Sequence, residues 1–310
     1  MPCYKPLQAY QCFDGSIVWY ESPKWDVVRS LTLPCGQCVG CRLERSRQWA
    51  VRCMHEASLY KHNCFITLTY DDDHLPENGS LRYDDFQKFM KRLRKRYSGV
   101  EPSASPESVD KFPIRFYMCG EYGENFGRPH FHACLFNFDF RDKTYWSKSP
   151  GGSKIYRSDI LEELWPFGFS SIGEVNFQSA AYVARYIMKK VTGKSASKYY
   201  ESITDDGEIV DRVPEFNKMS LKPGIGANWF KKFHQDVYPH DHVIVNGRKA
   251  KPPRFYDGQL EKMFPDLYDE VKYARFVEAM RTIEDNSPER LAVKEQVAHA
   301  KLSQLKRTLK

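Results

Sequence analysis

No apolar run in this 310-residue chain approaches the roughly 20 residues that a membrane-spanning helix needs. The first residues also lack a basic-then-apolar pattern, so a secretory signal is not expected and the cytosol is the default location. The nine cysteines are an odd number, which without such a signal argues against a secreted disulfide framework. There is no internal repeat, and there is no second CxxC pair beyond one cluster near the N-terminus. What is abundant excludes disorder: hydrophobic residues make up 41% of the chain, enough to fill a core. The net charge of +7 permits a polyanionic partner. Nineteen tyrosines and twenty phenylalanines supply either core filling or stacking platforms for unpaired bases.

Periodicity divides the chain. Leu43 to Tyr60 reads as a helix with Trp49, Cys53 and Ala57 on one face. Cys64 to Tyr70 is β-branched and aromatic, and reads as a strand. Asp84 to Tyr97 carries Phe86, Phe89, Met90, Leu93 and Tyr97 at helical spacing, with basic residues between them. Residues 98–112 read as a loop, Ile114 to Gly120 as a strand, Glu121 to Pro129 as a turn, and His130 to Phe138 as the second strand of a hairpin. Residues 144–154 read as a Ser/Gly/Lys loop. Ser158 to Trp165 is a short capped helix, Phe169 to Phe177 a strand, and Ser179 to Val191 a helix. The order predicts an α+β fold: a ferredoxin-like antiparallel sheet with flanking helices, one extra helix, and extensions at both ends. Three regions are expected: residues 1–60, Cys-rich; 61–195, the core; and 196–310, a basic and aromatic segment with a charged helical tail.

Two elements of that core carry chemistry. In Arg128-Pro129-His130-Phe131-His132 the two histidines share one strand face, while Phe131, Ala133 and Leu135 share the other. Two imidazoles leave a metal site short of ligands. Glu121, at the end of the preceding strand, is the candidate third, with Glu124 as the fallback. A mixed imidazole and carboxylate set suits Mg²⁺ or Mn²⁺ acting on a phosphate, and the nitrogen ligands favour Mn²⁺. Without a metal, the same pair would be two hydrogen-bonded histidines. In the later helix, Tyr182 and Tyr186 stand at i and i+4 on one face, and Arg185 and Lys189 each follow a tyrosine by three. Paired phenols suit two successive attacks on phosphorus, with the cations stabilising phenolate or phosphorane charge. An amphipathic helix packed into a core has the same spacing.

Together these residues resemble the HUH endonucleases, the initiators of rolling-circle replication. Phe65-Ile66-Thr67-Leu68-Thr69 looks like the family's first motif, Pro129-His130-Phe131-His132 its second, and Tyr182 to Lys189 its third in the two-tyrosine form. The tyrosine spacing is similar to the gene A class of the small single-stranded DNA phages (Microviridae). The cysteine cluster followed by Arg42 to Ala50 resembles the gokushovirus branch of that group. The resemblance implies an endonuclease and strand transferase with joining activity, working in the host bacterial cytoplasm. It implies a metal-dependent nick at the phage origin, a 5′-phosphotyrosine link, replication primed from the 3′-hydroxyl, and later release of circular single strands. Its implied partners are single-stranded and origin DNA and the host helicase and polymerase, with no membrane. Many relatives carry lysine where this chain has Arg185, so either Arg185 or Lys189 could be the main basic group. A relaxase or transposase of the same superfamily, or a non-catalytic single-strand binding module, is the alternative reading.

Two further groups bear on binding. Lys88, Lys91, Arg92, Arg94 and Lys95 on the basic helix, together with Arg128, are candidate phosphate contacts, unless the helix simply presents a solvated face. Cys35, Cys38 and Cys41 have spacing suited to structural Zn²⁺, with Cys3 as the fourth ligand and Cys12 as the alternative. Reduced cysteines packed in a small subcore would look the same.

Overall fold

The computed structural model describes residues 3–97, 114–123, 127–189, 196–203, 207–245 and 247–304; within these, the side chains of 185–189, 197 and 203 are not described. The chain divides into two compact units. Unit 1 comprises the N-terminal residues to Arg45 and a C-terminal stretch from Glu270; unit 2 runs from Ser46 to Asp269.

Unit 1 contains a three-stranded antiparallel sheet of β1 (Leu7–Cys12), β2 (Ile17–Val18) and β3 (Val27–Leu33) in the order β2-β1-β3. The unit boundary falls within α1 (Val39–Ala57). In unit 2 the chain continues through β4 (Asn63–Tyr70), α2 (Tyr83–Arg96), β5 (Arg115–Tyr122), β6 (Pro129–Phe136), β7 (Thr144–Lys148), β8 (Lys154–Arg157), α3 (Asp159–Leu164), β9 (Gly168–Gly173) and α4 (Phe177–Lys189). Smaller elements follow: α5 (Ala196–Tyr200), β10 (Glu201–Ile203), β11 (Ile209–Asp211), β12 (Phe216–Met219), α6 (Ala227–Val237), β13 (Val243–Val245), β14 (Arg248–Ala250) and α7 (Arg254–Met263). The chain ends with α8 (Pro265–Arg281), which crosses the second boundary, and α9 (Pro288–Gln304). Among the described residues, no helix is long and apolar enough to cross a membrane.

The main sheet has the order β12-β5-β6-β4-β9-β8-β7, with every pairing antiparallel. Its four central strands, with α2 and α3 in the crossovers, form the ferredoxin-like βαββαβ core, and α4 is the extra helix. The structure corrects the sequence reading in several places: the strand expected over Phe169 to Phe177 ends at Gly173, and Phe177 already opens α4. The strand before the hairpin runs on through Glu121 and Tyr122, which were expected in the turn. Residues 144–154, expected as a loop, instead form β7 and begin β8; Tyr145 and Trp146 are exposed and β7 has no buried residue for a pattern to reveal, while Tyr156 of β8 packs partly against the core. On the other edge, β12 arrives from almost one hundred residues away to pair with β5.

Period-two alternation gives the sheet two different faces. On one, Ile66, Leu68, Tyr70, Phe131, Ala133 and Leu135 pack against Phe86, Phe89, Met90 and Leu93 of α2 and against Trp165. On the other, Tyr117, Cys119, Cys134 and Phe136 lie beneath Ala50, Cys53 and Ala57 of α1 and Ala180, Ala181, Val183 and Ala184 of α4. The small side chains of that second layer let both helices approach the sheet closely. Ser46 Oγ of α1 donates to the Ala181 carbonyl at 3.2 Å, joining the two helices. Reciprocal bonds between Asn176 and Ser179, both 2.9 Å, cap α4 and fix where its first turn begins.

A buried ion pair ties α1 to β5. Arg115 Nε lies 2.5 Å from Glu56 Oε1, and the side chains are 3% and 1% exposed. Glu56 Oε2 also accepts the Gly226 N–H at 2.7 Å, while Arg115 donates to the Pro223 carbonyl at 2.6 Å. Arg115→Met leaves Glu56 buried without its cation, so denaturant unfolding should show a loss of about 3–5 kcal/mol. A loss below about 1 kcal/mol would mean that the pair does not hold the helix to the sheet.

Candidate active site

The β5–β6 register sets Glu121 directly opposite His130. The β4–β6 register sets Thr67 opposite His132. The alternation that buries Phe131 on the α2 face therefore turns both imidazoles toward α4. Their rings lie 4.9 Å apart and nearly perpendicular, with His132 stacked on Phe65.

Three groups converge on one carboxylate oxygen. Glu121 Oε1 is 3.2 Å from His130 Nε2 and 3.5 Å from His132 Nε2, and it accepts the Tyr182 hydroxyl at 2.8 Å. The Glu121 side chain is only 2% exposed. Burial alone would raise its pKa, but the hydrogen bonds and charges of His130 and His132 prevail and hold it well below the usual carboxylate range. Glu121 is therefore an anion, and its neighbours keep it one.

The outer ring nitrogens show what this cluster suits. His130 Nδ1 lies 3.0 Å from the Arg128 carbonyl, which can only accept, so Nδ1 carries the proton. In a neutral His130, Nε2 then directs a lone pair at the Glu121 carboxylate, and a proton or a cation has to lie between them. His132 Nδ1 lies 2.9 Å from Thr67 Oγ1, a hydroxyl that can either donate to it or accept from it. Outer hydrogen bonds of this kind fix the ring and tautomer of metal-binding histidines. The ligand atoms of Glu121, His130 and His132 all lie within 4.8 Å of one another, so the three could hold a metal ion. Glu124, the fallback ligand, lies outside the described residues.

Tyr182 reaches this site from the second turn of α4, and its ring meets that of His132 edge-on at 4.9 Å. Tyr186, Arg185 and Lys189 belong to the same helix, but their side chains lie outside the described residues. Two other tyrosines nearby are engaged elsewhere: Tyr70 donates to Asp85 and Tyr122 to the Val213 carbonyl.

The basic residues take other places. α2 packs on the sheet face away from the imidazoles. Arg92 and Arg94 direct their guanidiniums at the carbonyls of Leu164 and Ile114, and Lys88, Lys91 and Lys95 are exposed. Arg128 donates to the Tyr70 carbonyl at 2.9 Å and pairs with Asp72. In unit 1, Cys3, Cys35, Cys38 and Cys41 form a second group that could hold a metal ion, and buried Cys12 is not part of it. Sequence reasoning missed the roles of Thr67 and of the Arg128 carbonyl. Thr67 carries the right alternation, but only the strand register reveals its partner.

Comparison with known proteins finds relatives of this chain. The family described as replication-associated protein ORF2/G2P matches residues 63–191. Replication-associated protein VP4 of Bdellovibrio phage phiMH2K is 32% identical over 272 residues, covering 87% of this chain and 80% of that protein. Replication-associated protein ORF2 of Spiroplasma virus 4 is 32% identical over 305 residues, covering 91% and 88%. Replication-associated protein ORF4 of Chlamydia phage 1 is 30% identical over 240 residues, covering 76% and 55%. No solved structure is a significant match.

Thr67 gives a test of the outer hydrogen bonds. Thr67→Val keeps the shape of the side chain but frees the His132 ring, so Mn²⁺ affinity measured by calorimetry should fall about 10–100-fold. Unchanged affinity would mean that the Thr67 contact does not orient a ligand.

Proposed function

The chain belongs to the family of phage replication-associated proteins, and from that premise we propose that it initiates rolling-circle replication by nicking the replicative-form DNA at its origin through Tyr182. The observation that carries this reading is the single carboxylate oxygen shared by Tyr182, His130 and His132. A phenol placed one hydrogen bond from a group able to hold a metal is placed to become a nucleophile.

Glu121, His130 and His132 would hold a divalent cation, Mg²⁺ or, better suited to two nitrogen ligands, Mn²⁺. Such an ion polarises a phosphoryl oxygen and favours the phenolate over a phenol of pKa ~10. The rest is the work of the chain. Glu121 and His132 position the Tyr182 hydroxyl, whose proton is lost to water as its oxygen attacks the scissile phosphorus. The Tyr182 Oη–P bond forms, the P–O3′ bond breaks, and the 3′-oxygen takes up a proton to leave as a hydroxyl that primes synthesis. The 5′-phosphate stays on the tyrosine. Because the ester conserves the bond, a later 3′-hydroxyl can reverse the reaction and close a circle. Tyr186, one helical turn along α4, is the second nucleophile, and Arg185 and Lys189 supply the positive charge for the pair.

DNA that presents its nick at the α4 face extends around the sheet edge to α2, where Lys88, Lys91 and Lys95 contact phosphates away from the chemistry. The host helicase and polymerase take over from the nicked intermediate in the bacterial cytoplasm.

Two outcomes check this reading. Tyr182→Phe and Tyr186→Phe should each retain some single nicking but fail to release closed circles in a coupled replication assay, and the double variant should form no covalent adduct. A role in base stacking would survive loss of the hydroxyls, because a stacking aromatic contributes ~1–3 kcal/mol through its ring; wild-type circle release by either variant would refute the assignment. Neutralising Lys88 and Lys91 should reduce the slope of log affinity against log salt by about two units while leaving cleavage of a short single strand intact. An unchanged slope would make α2 a solvated face.

A further inference from the structure

Unit 1 has almost no hydrocarbon core. Among its described residues the buried apolar side chains are Ala9, Cys12, Val39, Val271 and the thiols Cys3, Cys38 and Cys41. None of the residues of α9 is buried. A unit that buries so little needs another source of order, and small domains obtain it from disulfides or a structural metal. Its cysteines are not joined as disulfides.

They converge instead on a single point. The sulfurs of Cys3, Cys35, Cys38 and Cys41 all lie within 4.8 Å of one another, with Cys3 and Cys38 at 4.0 Å. Four thiolates at ~2.3 Å from a tetrahedral ion stand about 3.8 Å apart, so little movement separates this cluster from a closed coordination shell. The backbone is arranged for negative sulfur. Tyr4 N–H points at Cys38 Sγ at 3.4 Å, and Cys35 N–H at Cys3 Sγ at 3.3 Å. Gln37 and Cys38 N–H groups both point at Cys35 Sγ, at 3.4 and 3.2 Å. Gly36, at φ +72°, makes the turn that precedes the Gln37 and Cys38 donors, a conformation that side-chain-bearing residues rarely adopt.

We propose that Cys3, Cys35, Cys38 and Cys41 hold one structural zinc ion, which clips the N-terminal segment to the start of α1 and orders unit 1 in place of an apolar core. Four protein ligands leave no open position, so the site supports structure and not chemistry. All-sulfur ligation also separates it from the Glu121, His130 and His132 group, whose oxygen and nitrogen donors suit a harder ion.

The test uses the full chain, expressed with zinc and iron both present and purified without chelator. Elemental analysis should find one zinc per chain. Alkylation of the native protein followed by peptide mass spectrometry should find Cys3, Cys35, Cys38 and Cys41 protected, and modification of the thiols with a mercurial should release the zinc. Cys38→Ser should lose the zinc, whereas the His130→Ala/His132→Ala variant should keep it. Should Cys38→Ser fail to fold, Co²⁺ refolded into the wild-type chain provides the second reading: a thiolate-to-cobalt charge-transfer band with tetrahedral ligand-field bands. A chain without zinc, iron in its place, zinc kept by Cys38→Ser, or cobalt spectra without thiolate bands would each overturn the proposal.

Discussion

A carboxylate buried in a β-strand is costly unless its surroundings use it, and Glu121 is surrounded by groups that do. Two imidazoles and a phenol all address the same oxygen, and none of the three shares an element with Glu121. β5 brings the acid, β6 the histidines and α4 the tyrosine. The position of each is set by something outside the site: strand register for the first two, and the capped start and small-residue face of α4 for the third. Removing the negative charge would leave the imidazoles and the hydroxyl without a common partner.

That dependence explains the asymmetry of the sheet. The α2 face is built from large side chains, with Phe86, Phe89, Phe131 and Trp165 interlocked, and it supplies most of the packing. The α4 face is thinner, and its alanines allow a helix to lie close enough for a tyrosine from its second turn to touch the strand beneath. The larger apolar cluster lies on one side of the sheet, and Glu121, His130, His132 and Tyr182 meet on the other. The buried Arg115–Glu56 pair links α1 to β5 on that second side, where the apolar cluster is the smaller of the two.

Much of this was legible in the residues. Alternation in Pro129 to Phe136 separates histidines from core, and the helical spacing of Phe86, Phe89 and Leu93 marks α2. The core elements and their order follow from such patterns, as does the placement of Glu121 near His130. What stayed hidden depends on contacts between distant segments. Nothing local in Phe216 to Met219 marks it as an edge strand for β5, and exposed Tyr145 and Trp146 conceal β7. For Arg92 and Arg94 the residues suggest phosphate contacts, and only the fold reveals that their guanidiniums also donate to the carbonyls of Leu164 and Ile114. The sequence offers Cys3 as the fourth thiol with Cys12 as the alternative, and the folded chain brings Cys3 to the other three.

In the proposed reaction, Glu121, His130 and His132 hold a metal ion in reach of Tyr182. Crystals of the full chain soaked in Mn²⁺, with anomalous scattering recorded at the manganese edge, test it most directly. One peak should appear bonded to Glu121 and to Nε2 of both histidines, with the Tyr182 hydroxyl beside it and no peak at that position in Glu121→Gln crystals. A manganese ion bound elsewhere, with this group empty at saturating metal, would contradict it.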